Sequence, residues 1–411
     1  MLVDSPQIDL ISAASFASGH PLDQYEWLRQ NDPVYFHPEP DGPGFWALTK
    51  HADVRWASRT PKLFSSYKGG IEVVDVPPPV LEAMRKMMLF MDPPEHFRFK
   101  SLVSKGFTPA QAASMADRFD SLCREIIDDV IERGECEFVS EVAGRLPSGV
   151  IAEMLGIPRT EGERLYELTE IQHTTDDAVA SPEMRNNARV EMIDYAKSVA
   201  DQKRTNPGND ITTILVNAEV DGDRLSDEEI QWFFLLLINA GGDTTRNLLA
   251  DALQLLLDHP DQRQRLIGDL DNLLDPAVEE MLRVVSPVAR FRRTATEDVE
   301  LRGKQIRAGD KVVLFYGSAN YDEEVFDCPR VFDIGRDPNP HLAFGGGGPH
   351  LCLGMHVARM EIRAMLREML ARLHDIELSG PHTRLESSFI AGSRAMPIRF
   401  TPGKRSSRPM Q

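Results

Sequence analysis

The 411-residue sequence has few cysteines, a deficit of basic residues and no apolar run long enough to cross a membrane. Four cysteines in a chain of this length exclude a disulfide scaffold and favour the reducing cytoplasm. Lys and Arg number 46 against 64 Asp and Glu, and the net charge of −18 excludes the dominant basic field of a nucleic-acid-binding protein. The longest apolar run, residues 232–238, is far shorter than the about 20 residues of a membrane span. We therefore expect a cytoplasmic protein with no membrane anchor and no signal peptide.

No linker, repeat or low-complexity segment divides the chain, whose 42% hydrophobic and 27% charged residues are ordinary for a globular protein. The sequence therefore predicts one domain over residues 1–400 and a disordered tail over 401–411, and we expect the protein to be a monomer. Short runs between turn residues predict a β-rich lobe from residues 30–65, 295–320 and 375–400. Apolar spacing near 3.6 residues predicts helices in most of the rest, so the predicted fold class is mainly α with a small β part.

The long helices are predicted from this spacing over residues 109–133, 182–203, 226–258, 261–271, 276–285 and 354–374. The longest of them begins with Ser226 and has Glu229 three residues later, which fits a capping box. Residues 227–258 would span about 48 Å, enough to cross a domain. The stretch 232–238 is apolar on every side, which predicts burial all round.

A glycine-rich string before the last long helix is a candidate ligand site, F-G-G-G-G-P-H-L-C-L-G over residues 344–354. Its spacing fits neither phosphate-binding glycine motif. The glycines can instead bring the backbone close to a flat ligand. Cys352 at the start of a helix can supply a thiolate, which is a good axial ligand for haem iron. A buried structural cysteine and a zinc site built from His350, Cys352 and His356 are the alternatives.

The middle of the longest helix departs from helix propensity over residues 240–245, Ala-Gly-Gly-Asp-Thr-Thr. Gly241 and Gly242 each cost about 1 kcal/mol relative to Ala. The hydroxyl of Thr244 can bond the carbonyl four residues back and open the helix for water, and Asp243 is an acid that can feed protons. Such a break is typical of a functional site, and a tight helix–helix crossing is an equal alternative.

A third motif places Glu280 and Arg283 at i and i+3 of another predicted helix, which alone indicates only a surface salt bridge. Taken with the two motifs above, in this order, the pair makes the chain resemble the cytochrome P450 family, the haem-thiolate monooxygenases, over nearly its whole length. Further segments that resemble the family are residues 91–96 and 338–341. The stretches 219–226 and 242–247 and the glycine string are similar to bacterial hydroxylases of methyl-branched lipids and steroid side chains. The resemblance implies the family's triangular fold, with the long central helix over the haem.

The resemblance also implies roles for individual residues. Cys352 is expected to be the proximal ligand of haem b, and Asp243 and Thr244 to be the acid and the alcohol of oxygen activation. The other residues expected to bind the haem are His96, Lys100, Arg293, Phe344, Gly346, His350 and Gly354. The family's structural ion pair would comprise Glu280, Arg283 and Arg336. The expected substrate pocket is lined by Phe90, Ile238, Gly241, Val288, Phe291, Phe389 and Ile390.

Three positions depart from the family's usual pattern. Lys100 stands where Arg is usual, so a propionate would meet a point charge instead of a planar fork. Phe344 lies eight positions before Cys352, where seven are usual, which bears on how glycines 345–348 meet the haem. Gly242 stands where bulkier residues are common.

The function implied by the resemblance is O2-dependent hydroxylation of an unactivated C–H bond in an apolar small molecule. The terminal carbon of a methyl-branched lipid, terpenoid or sterol side chain is the preferred target, and a linear fatty acid or an aromatic compound is the alternative. No flavin or iron–sulfur module fits in the chain, so electrons are expected from a separate ferredoxin and its reductase. The basic residues that could form a docking patch, instead of scattered solvated charge, are Arg98, Lys100, Lys105, Arg118, Arg359 and Arg363. The competing functions are a peroxide-driven haem hydroxylase or peroxygenase and a non-enzymatic haem or ligand-binding protein.

Overall fold

The computed structural model describes residues 6–173, 180–220 and 222–406. The fold is mainly α with small sheets, as predicted. The α-helices are α1 (Leu22–Asn31), α2 (His51–Arg59), α3 (Pro78–Met84), α4 (Glu95–Val103), α5 (Pro109–Ala113), α6 (Ala116–Ile131), α7 (Arg145–Leu155), α8 (Arg159–His173), α9 (Pro182–Thr205), α10 (Ile211–Val216), α11 (Asp227–Asp258), α12 (Pro260–Gly268), α13 (Leu270–Val285), α14 (Tyr316–Ala319) and α15 (Met355–Arg372). Short 3₁₀ turns lie at Ala13–Phe16, Met88–Phe90 and Ser104–Phe107, and a π-helical turn lies at Val139–Ala143.

The strands form several small sheets. They are β1 (Val34–His37), β2 (Phe45–Leu48), β3 (Phe64–Ser65), β4 (Glu135–Glu137), β5 (Glu219–Val220), β6 (Asp223–Arg224), β7 (Arg290–Ala295), β8 (Val299–Leu301), β9 (Lys304–Ile306), β10 (Lys311–Phe315), β11 (His374–Leu378), β12 (Thr383–Arg384), β13 (Ser393–Ala395) and β14 (Pro397–Thr401). A five-stranded sheet has the order β1-β2-β10-β7-β3, and a three-stranded sheet has the order β11-β14-β4. In the larger sheet β2 and β10 are parallel, and the other neighbours are antiparallel.

The predicted β-rich lobe is only partly correct. Residues 30–65 and 295–320 do meet in the five-stranded sheet, but residues 375–400 form a separate sheet with β4 and the hairpin β12–β13. Strand β7 escapes prediction because its arginines suggest a solvent-exposed segment. Arg290, Arg292 and Arg293 are nevertheless buried, since packed loops and carbonyl groups surround them.

Helix α11 has the predicted bounds and the predicted capping box. The Glu229 N–H donates to Ser226 Oγ at 3.2 Å, and the Ser226 N–H donates to the Glu229 carboxylate at 2.7 Å. Phe233 belongs to an apolar cluster with α6, α13 and α15, whereas Phe234 belongs to another cluster with α7, α8 and α9. The long helix therefore lies between the two main apolar clusters of the helical part.

Two predicted helix boundaries and part of the tail differ from the structure. The segment 109–133 is divided into α5 and α6, and α13 begins at Leu270, so that Pro276 lies inside it. Burial of the apolar face of α13 outweighs the preference of proline for a helix start. Residues 401–406 of the predicted tail pack against the domain, because the Ser406 N–H and hydroxyl donate to Asp128 at 2.9 and 2.8 Å. Residues 407–411 lie outside the described residues, within which no helix is both long and apolar enough for a membrane span.

Candidate active site

Cys352 lies at the entrance to α15, two residues before the helix N-cap Gly354. Its N–H donates to the Phe344 carbonyl at 3.0 Å and closes the glycine-rich loop. Solvent reaches the Cys352 side chain, although the protein atoms around the sulfur raise the pKa of its thiol. The Gly354 N–H, then Arg359 and Lys100, lower that pKa in opposition. These three groups favour the deprotonation that thiolate ligation requires.

The glycines of this loop pack closely against protein atoms. Gly347 and Gly348 have positive φ values of 86° and 76°, a region that favours glycine. A Cβ on Gly346 would lie 2.5 Å from Ser58 Oγ and 3.0 Å from the Cα of Arg55. The loop is therefore pressed against the C-terminal half of α2, a contact that by itself requires the glycine at position 346, and the haem contact of Gly346 stays a prediction.

Phe344 and Gly354 are the remaining predicted haem contacts of the loop. The guanidinium carbon of Arg359 lies 4.5 Å from the centre of the Phe344 ring, and the same arginine pairs with Glu279 at 2.6 and 2.8 Å. A Cβ on Gly354 would meet no described atom within 4 Å. The haem contacts of these two residues stay predictions.

Four basic side chains lie beside the loop, as the resemblance implies. The ring centroids of His96 and His350 are 4.4 Å apart, and Lys100 Nζ donates to the Pro349 carbonyl at 2.6 Å. Burial lowers the pKa of His96 to about 4, and Lys100 and Arg293 add to this shift. Burial and the neighbouring cations also hold the pKa of His350 well below its usual range. The cations of this cluster, Lys100 and Arg293, therefore disfavour protonation of the two histidines, and the cluster contains no carboxylate of its own.

This cluster fits the propionates of a haem. His96 Nδ1 is buried and has no hydrogen-bond partner among the described residues. The charge of the Asp92 carboxylate acts to raise the pKa of Arg293, against the lowering effect of burial. Both oxygens of Asp92, however, already accept hydrogen bonds from residues 65–66. A bound carboxylate would supply the missing acceptor and charge, and Cys352 would supply the axial thiolate. The residues present thus fit a haem.

The alternatives for the cysteine loop find no support in the geometry. Within the described ranges no three His, Cys, Asp or Glu side chains are grouped so as to hold a metal ion, so His350, Cys352 and His356 do not form the zinc site. Cys352 is also exposed, whereas Cys123 and Cys136 are buried. The buried pair fits the structural role that Cys352 does not.

Thr244 makes the hydrogen bond predicted from the sequence, donating from Oγ1 to the Ala240 carbonyl at 2.8 Å. The expected opening of the helix is nevertheless wrong, because α11 is continuous over all its residues. Gly241 packs on α7, since a Cβ there would lie 3.2 Å from Ile151 Cδ1, and its expected place in the substrate pocket stays a prediction. The tight helix–helix crossing is therefore the better explanation of this glycine.

Asp243 is buried and has a charged partner that the sequence analysis missed. Arg246 Nη2 lies 3.3 Å from Asp243 Oδ1, and Arg246 Nη1 donates to the Tyr166 hydroxyl on α8. A Cβ on Gly242 would lie 3.5 Å from the Tyr166 ring, so a side chain longer than Ala would meet that ring. The sequence does hold a signal for this ion pair, because Arg246 is a cation three positions after Asp243 in a largely apolar helix.

Glu280 and Arg283 form a buried ion pair, although their spacing alone indicates a surface one. Both side chains are 0% exposed, and Arg283 Nε and Nη2 each lie 2.8 Å from the carboxylate. Arg336 Nε lies 3.1 Å from the same carboxylate, so the three predicted residues do meet. Asn339, which was not predicted, also donates to Glu280 at 3.1 Å. Arg283 further donates to carbonyls within residues 320–331, which ties α13 to the segment leading to the cysteine loop.

Four of the predicted pocket residues lie together and are half-buried, namely Val288, Phe291, Phe389 and Ile390. The first and last form an isolated β-bridge, and the two aromatic rings are 5.6 Å apart. Ile238, by contrast, is 2% exposed inside the cluster with α7, α8 and α9. Phe90 is 4% exposed. Four of the seven predicted pocket residues therefore form one apolar wall, whereas Phe90 and Ile238 are buried and Gly241 packs on α7.

The suggested docking patch is largely neutralised. Four of its six members pair with acids, Arg98 with Asp223 and Glu229, Arg118 with Glu153, Arg359 with Glu279 and Arg363 with Asp275. Lys100 donates to backbone carbonyls, and Lys105 is exposed with no ion pair in the described part of the chain. Scattered, compensated charge describes this surface better than a basic patch.

Glu361 on α15 is a buried carboxyl that nothing in the sequence singles out. It is 4% exposed, and Thr245 Oγ1 donates to its Oε1 at 2.8 Å. Its Oε2 has no hydrogen-bond partner among the described residues. Burial raises the pKa of Glu361 to about 8, against the lowering effect of the Thr245 bond. Glu361 is therefore neutral, and its bond with Thr245, the residue that follows Thr244, links α15 to α11.

The raised pKa of Glu361 predicts that the stability of the protein depends on pH. This carboxyl stays protonated up to pH about 8 when folded but only to about 4.5 when unfolded. The free energy of unfolding should therefore fall as pH rises between these values, by up to about 1.4 kcal/mol per pH unit. Glu361→Gln mimics the neutral acid and should flatten this fall in denaturant unfolding of the holoprotein. Glu368→Gln, on the same helix and paired with Arg372, should keep the wild-type slope, and an unchanged slope in Glu361→Gln contradicts the assignment.

Known proteins are similar to this chain both in sequence and in fold. The family model for cytochrome P450 matches residues 170–394. A methyl-branched lipid omega-hydroxylase of Mycobacterium tuberculosis is 41% identical over 386 residues, covering 91% of this chain and 90% of that protein. A steroid C26-monooxygenase of Mycolicibacterium smegmatis is 38% identical over 408 residues, covering 98% of each chain. A Mycobacterium marinum cytochrome P450, solved in complex with pseudoionone, is similar with a TM-score of 0.89 at 39% identity, covering 97% of this chain and 100% of that one.

These matches agree with the geometry. The family model covers more than half of the chain, and the relatives cover almost all of it. The Glu280–Arg283 pair, which contributed to the resemblance, is buried and meets Arg336 as expected. The chain belongs to the cytochrome P450 family and is a monooxygenase with haem as its cofactor.

Proposed function

We propose that this monooxygenase hydroxylates the terminal carbon of an apolar methyl-branched lipid, terpenoid or sterol side chain, with electrons from a separate ferredoxin and its reductase. The observation that carries the proposal is the 41% identity, over 91% of this chain, to a methyl-branched lipid omega-hydroxylase. The apolar wall formed by Val288, Phe291, Phe389 and Ile390 supports it, because such a wall favours an apolar guest.

The residues of the chain support haem b as the cofactor. When bound, the haem with its thiolate supplies the activation of O2 for insertion into a C–H bond. Cys352 would hold the iron, and the residues that would hold the propionates are His96, Lys100, Arg293 and His350. We propose no flavin or iron–sulfur cluster in this chain, since Cys352 leaves only three further cysteines. Four free thiols support a reducing, cytoplasmic location.

We propose that Asp243 and Thr244 deliver protons to the reaction site. The Arg246 ion pair holds the Asp243 carboxylate in place, and 8% of Asp243 stays exposed to solvent. The Arg246 bond to Tyr166 continues this polar connection to α8. Thr244 Oγ1 now donates to the Ala240 carbonyl, and rotation of the hydroxyl lets it pass that proton to the reaction site. The Asp243 carboxylate takes up the replacement proton from solvent water and passes it on to Thr244.

Thr244→Ala is expected to uncouple electron use from product formation. The variant should consume reductant at a similar rate, release peroxide and form about tenfold less product or worse, since a positioned proton donor contributes about 10²–10⁴-fold. Product, peroxide and reductant are measured together in the reconstituted system. Thr244→Ser keeps the hydroxyl and should restore most of the coupling. Unchanged coupling in Thr244→Ala contradicts the role of this residue.

The substrate class is tested by optical titration of the haem spin state. The panel comprises a methyl-branched fatty acid, its linear counterpart of equal chain length, a steroid with an aliphatic side chain and an aromatic compound. One buried methyl contributes about 0.8 kcal/mol, so the branched acid should bind about fourfold more tightly than the linear one. A spin shift with the aromatic compound alone contradicts the proposal. Product formed with peroxide but not with ferredoxin and reductase would favour the peroxide-driven alternative.

A further inference from the structure

Asp251 on α11 holds both strands of the hairpin β12–β13, whose tip carries Phe389 and Ile390. Arg384 Nη2 on β12 donates to Asp251 Oδ2 at 2.5 Å, and Ser393 Oγ on β13 donates to Asp251 Oδ1 at 2.5 Å. Each carboxylate oxygen thus binds a different strand of the hairpin. Asp251 is 4% exposed and Ser393 is 0% exposed, so water competes little for these bonds.

Further contacts reinforce this junction between helix and hairpin. His382 Nε2 lies 2.8 Å from Ser393 Oγ. Because the serine hydroxyl already donates to Asp251, the histidine is the donor in this second bond. A Cβ on Gly392 would collide with Asn247, one turn before Asp251 on the same helix. The hairpin backbone is therefore seated directly on α11.

The tip of the hairpin is in turn fixed to the segment that precedes β7. The Ala289 N–H donates to the Phe389 carbonyl at 2.9 Å, and the Ala391 N–H donates to the Pro287 carbonyl at 2.8 Å. These bonds place Phe389 beside Phe291 in the apolar wall. A shift of the hairpin base would therefore move this wall.

Asp251 connects the wall to the helix that carries Thr244. The two residues are seven positions apart on α11, which is two helical turns or about 10 Å along the axis. We propose that Asp251 is a positioning residue that sets, through the hairpin of residues 383–395, which carbon of the substrate reaches the oxidising centre. This inference depends on the proposed function for the identity of the substrate, but it depends on the structure alone for the coupling of Asp251 to the wall.

The test compares Asp251→Asn and Ser393→Ala with wild-type holoenzyme. Asp251→Asn retains an oxygen for Ser393 but loses the charge opposite Arg384, and Ser393→Ala removes only one hydroxyl. Glu377→Gln is the matched control, because its pair with Arg399 also lies in the C-terminal β region but is exposed. The haem ligands imidazole and 4-phenylimidazole are the probes, because they differ by one apolar ring, and contacts of that ring with the apolar wall would change their relative affinity.

Asp251→Asn and Ser393→Ala should each change the ratio of the dissociation constants of imidazole and 4-phenylimidazole by about fivefold or more. Glu377→Gln should keep the wild-type ratio. Hydrogen exchange at the amides of Leu385 and Ala391, which bond Gly392 and Pro287, should become faster in the variants. A purely stabilising role of Asp251 would lower the melting temperature and leave the ratio unchanged. An unchanged ratio therefore overturns the proposal whether or not the exchange becomes faster, and Ser393→Ala decides it if Asp251→Asn fails to retain haem.

The outcomes separate this inference from the proposed function. The azole titration needs no substrate, so it stands even if no lipid shifts the spin state of the wild-type enzyme. If a branched lipid is hydroxylated, Asp251→Asn should shift product from the terminal carbon toward its neighbour by about threefold or more. Terminal hydroxylation that is equally selective in Asp251→Asn overturns the role of Asp251 and leaves the proposed function intact.

Discussion

Replacement of Cys352 by serine is expected to abolish O2-dependent hydroxylation, with a loss of at least about 10³-fold, equivalent to about 4 kcal/mol of barrier. A serine hydroxyl stays protonated at neutral pH and cannot give the anionic electron donation that a thiolate gives. The loop itself should survive the change. It is closed by the backbone N–H of residue 352 on the Phe344 carbonyl and by glycines packed on α2, none of which needs the sulfur.

The spectrum of the reduced carbonyl complex measures this effect apart from turnover. Cys352→Ser should lose the red-shifted Soret band that marks thiolate ligation. Cys328→Ser is the matched control, because Cys328 is also free and exposed but lies outside the loop, and it should keep both the band and the activity. A red-shifted band retained in Cys352→Ser would show that another residue binds the iron.

Glu280→Ala is expected to destabilise the protein by about 3–5 kcal/mol, the usual penalty for removing one partner of a buried ion pair. The substitution leaves Arg283 with no exposed surface and no carboxylate, and it also deprives Arg336 and Asn339 of an acceptor. Since domains are stable by only about 5–15 kcal/mol, much of this variant should lose haem or fail to accumulate. The effect is on folding, because Glu280 contacts no reacting group.

Denaturant unfolding of the holoprotein measures this destabilisation. Asp275→Ala is the control, because Asp275 lies on the same helix and pairs with Arg363 in an exposed ion pair. Exposed pairs contribute about 0–1 kcal/mol, so the control should stay close to wild type. A Glu280→Ala midpoint within error of the Asp275→Ala midpoint would show that the buried pair is dispensable.

The sequence predicts well the features that depend on local pattern. The bounds of α11 follow from its capping box and apolar run, and the cysteine loop and the Glu280–Arg283 spacing lead to the family. Tertiary contacts account for what it misses. The arginines of β7 look solvated in the sequence, although the fold buries them, and the packing of Gly346 on α2 joins segments that are distant in the sequence. Asp251 is an ordinary polar residue in the sequence, and only the folded hairpin shows what it binds.

The most direct test of the whole account is hydroxylation of a methyl-branched fatty acid under isotopically labelled O2, with purified ferredoxin, reductase and the haem-loaded enzyme. Mass spectrometry of the product locates the hydroxyl and counts the labelled atoms. The account predicts one labelled oxygen on the terminal carbon, with electron consumption matched to product. Unlabelled product, or no product while haem and reductase function normally, would contradict it.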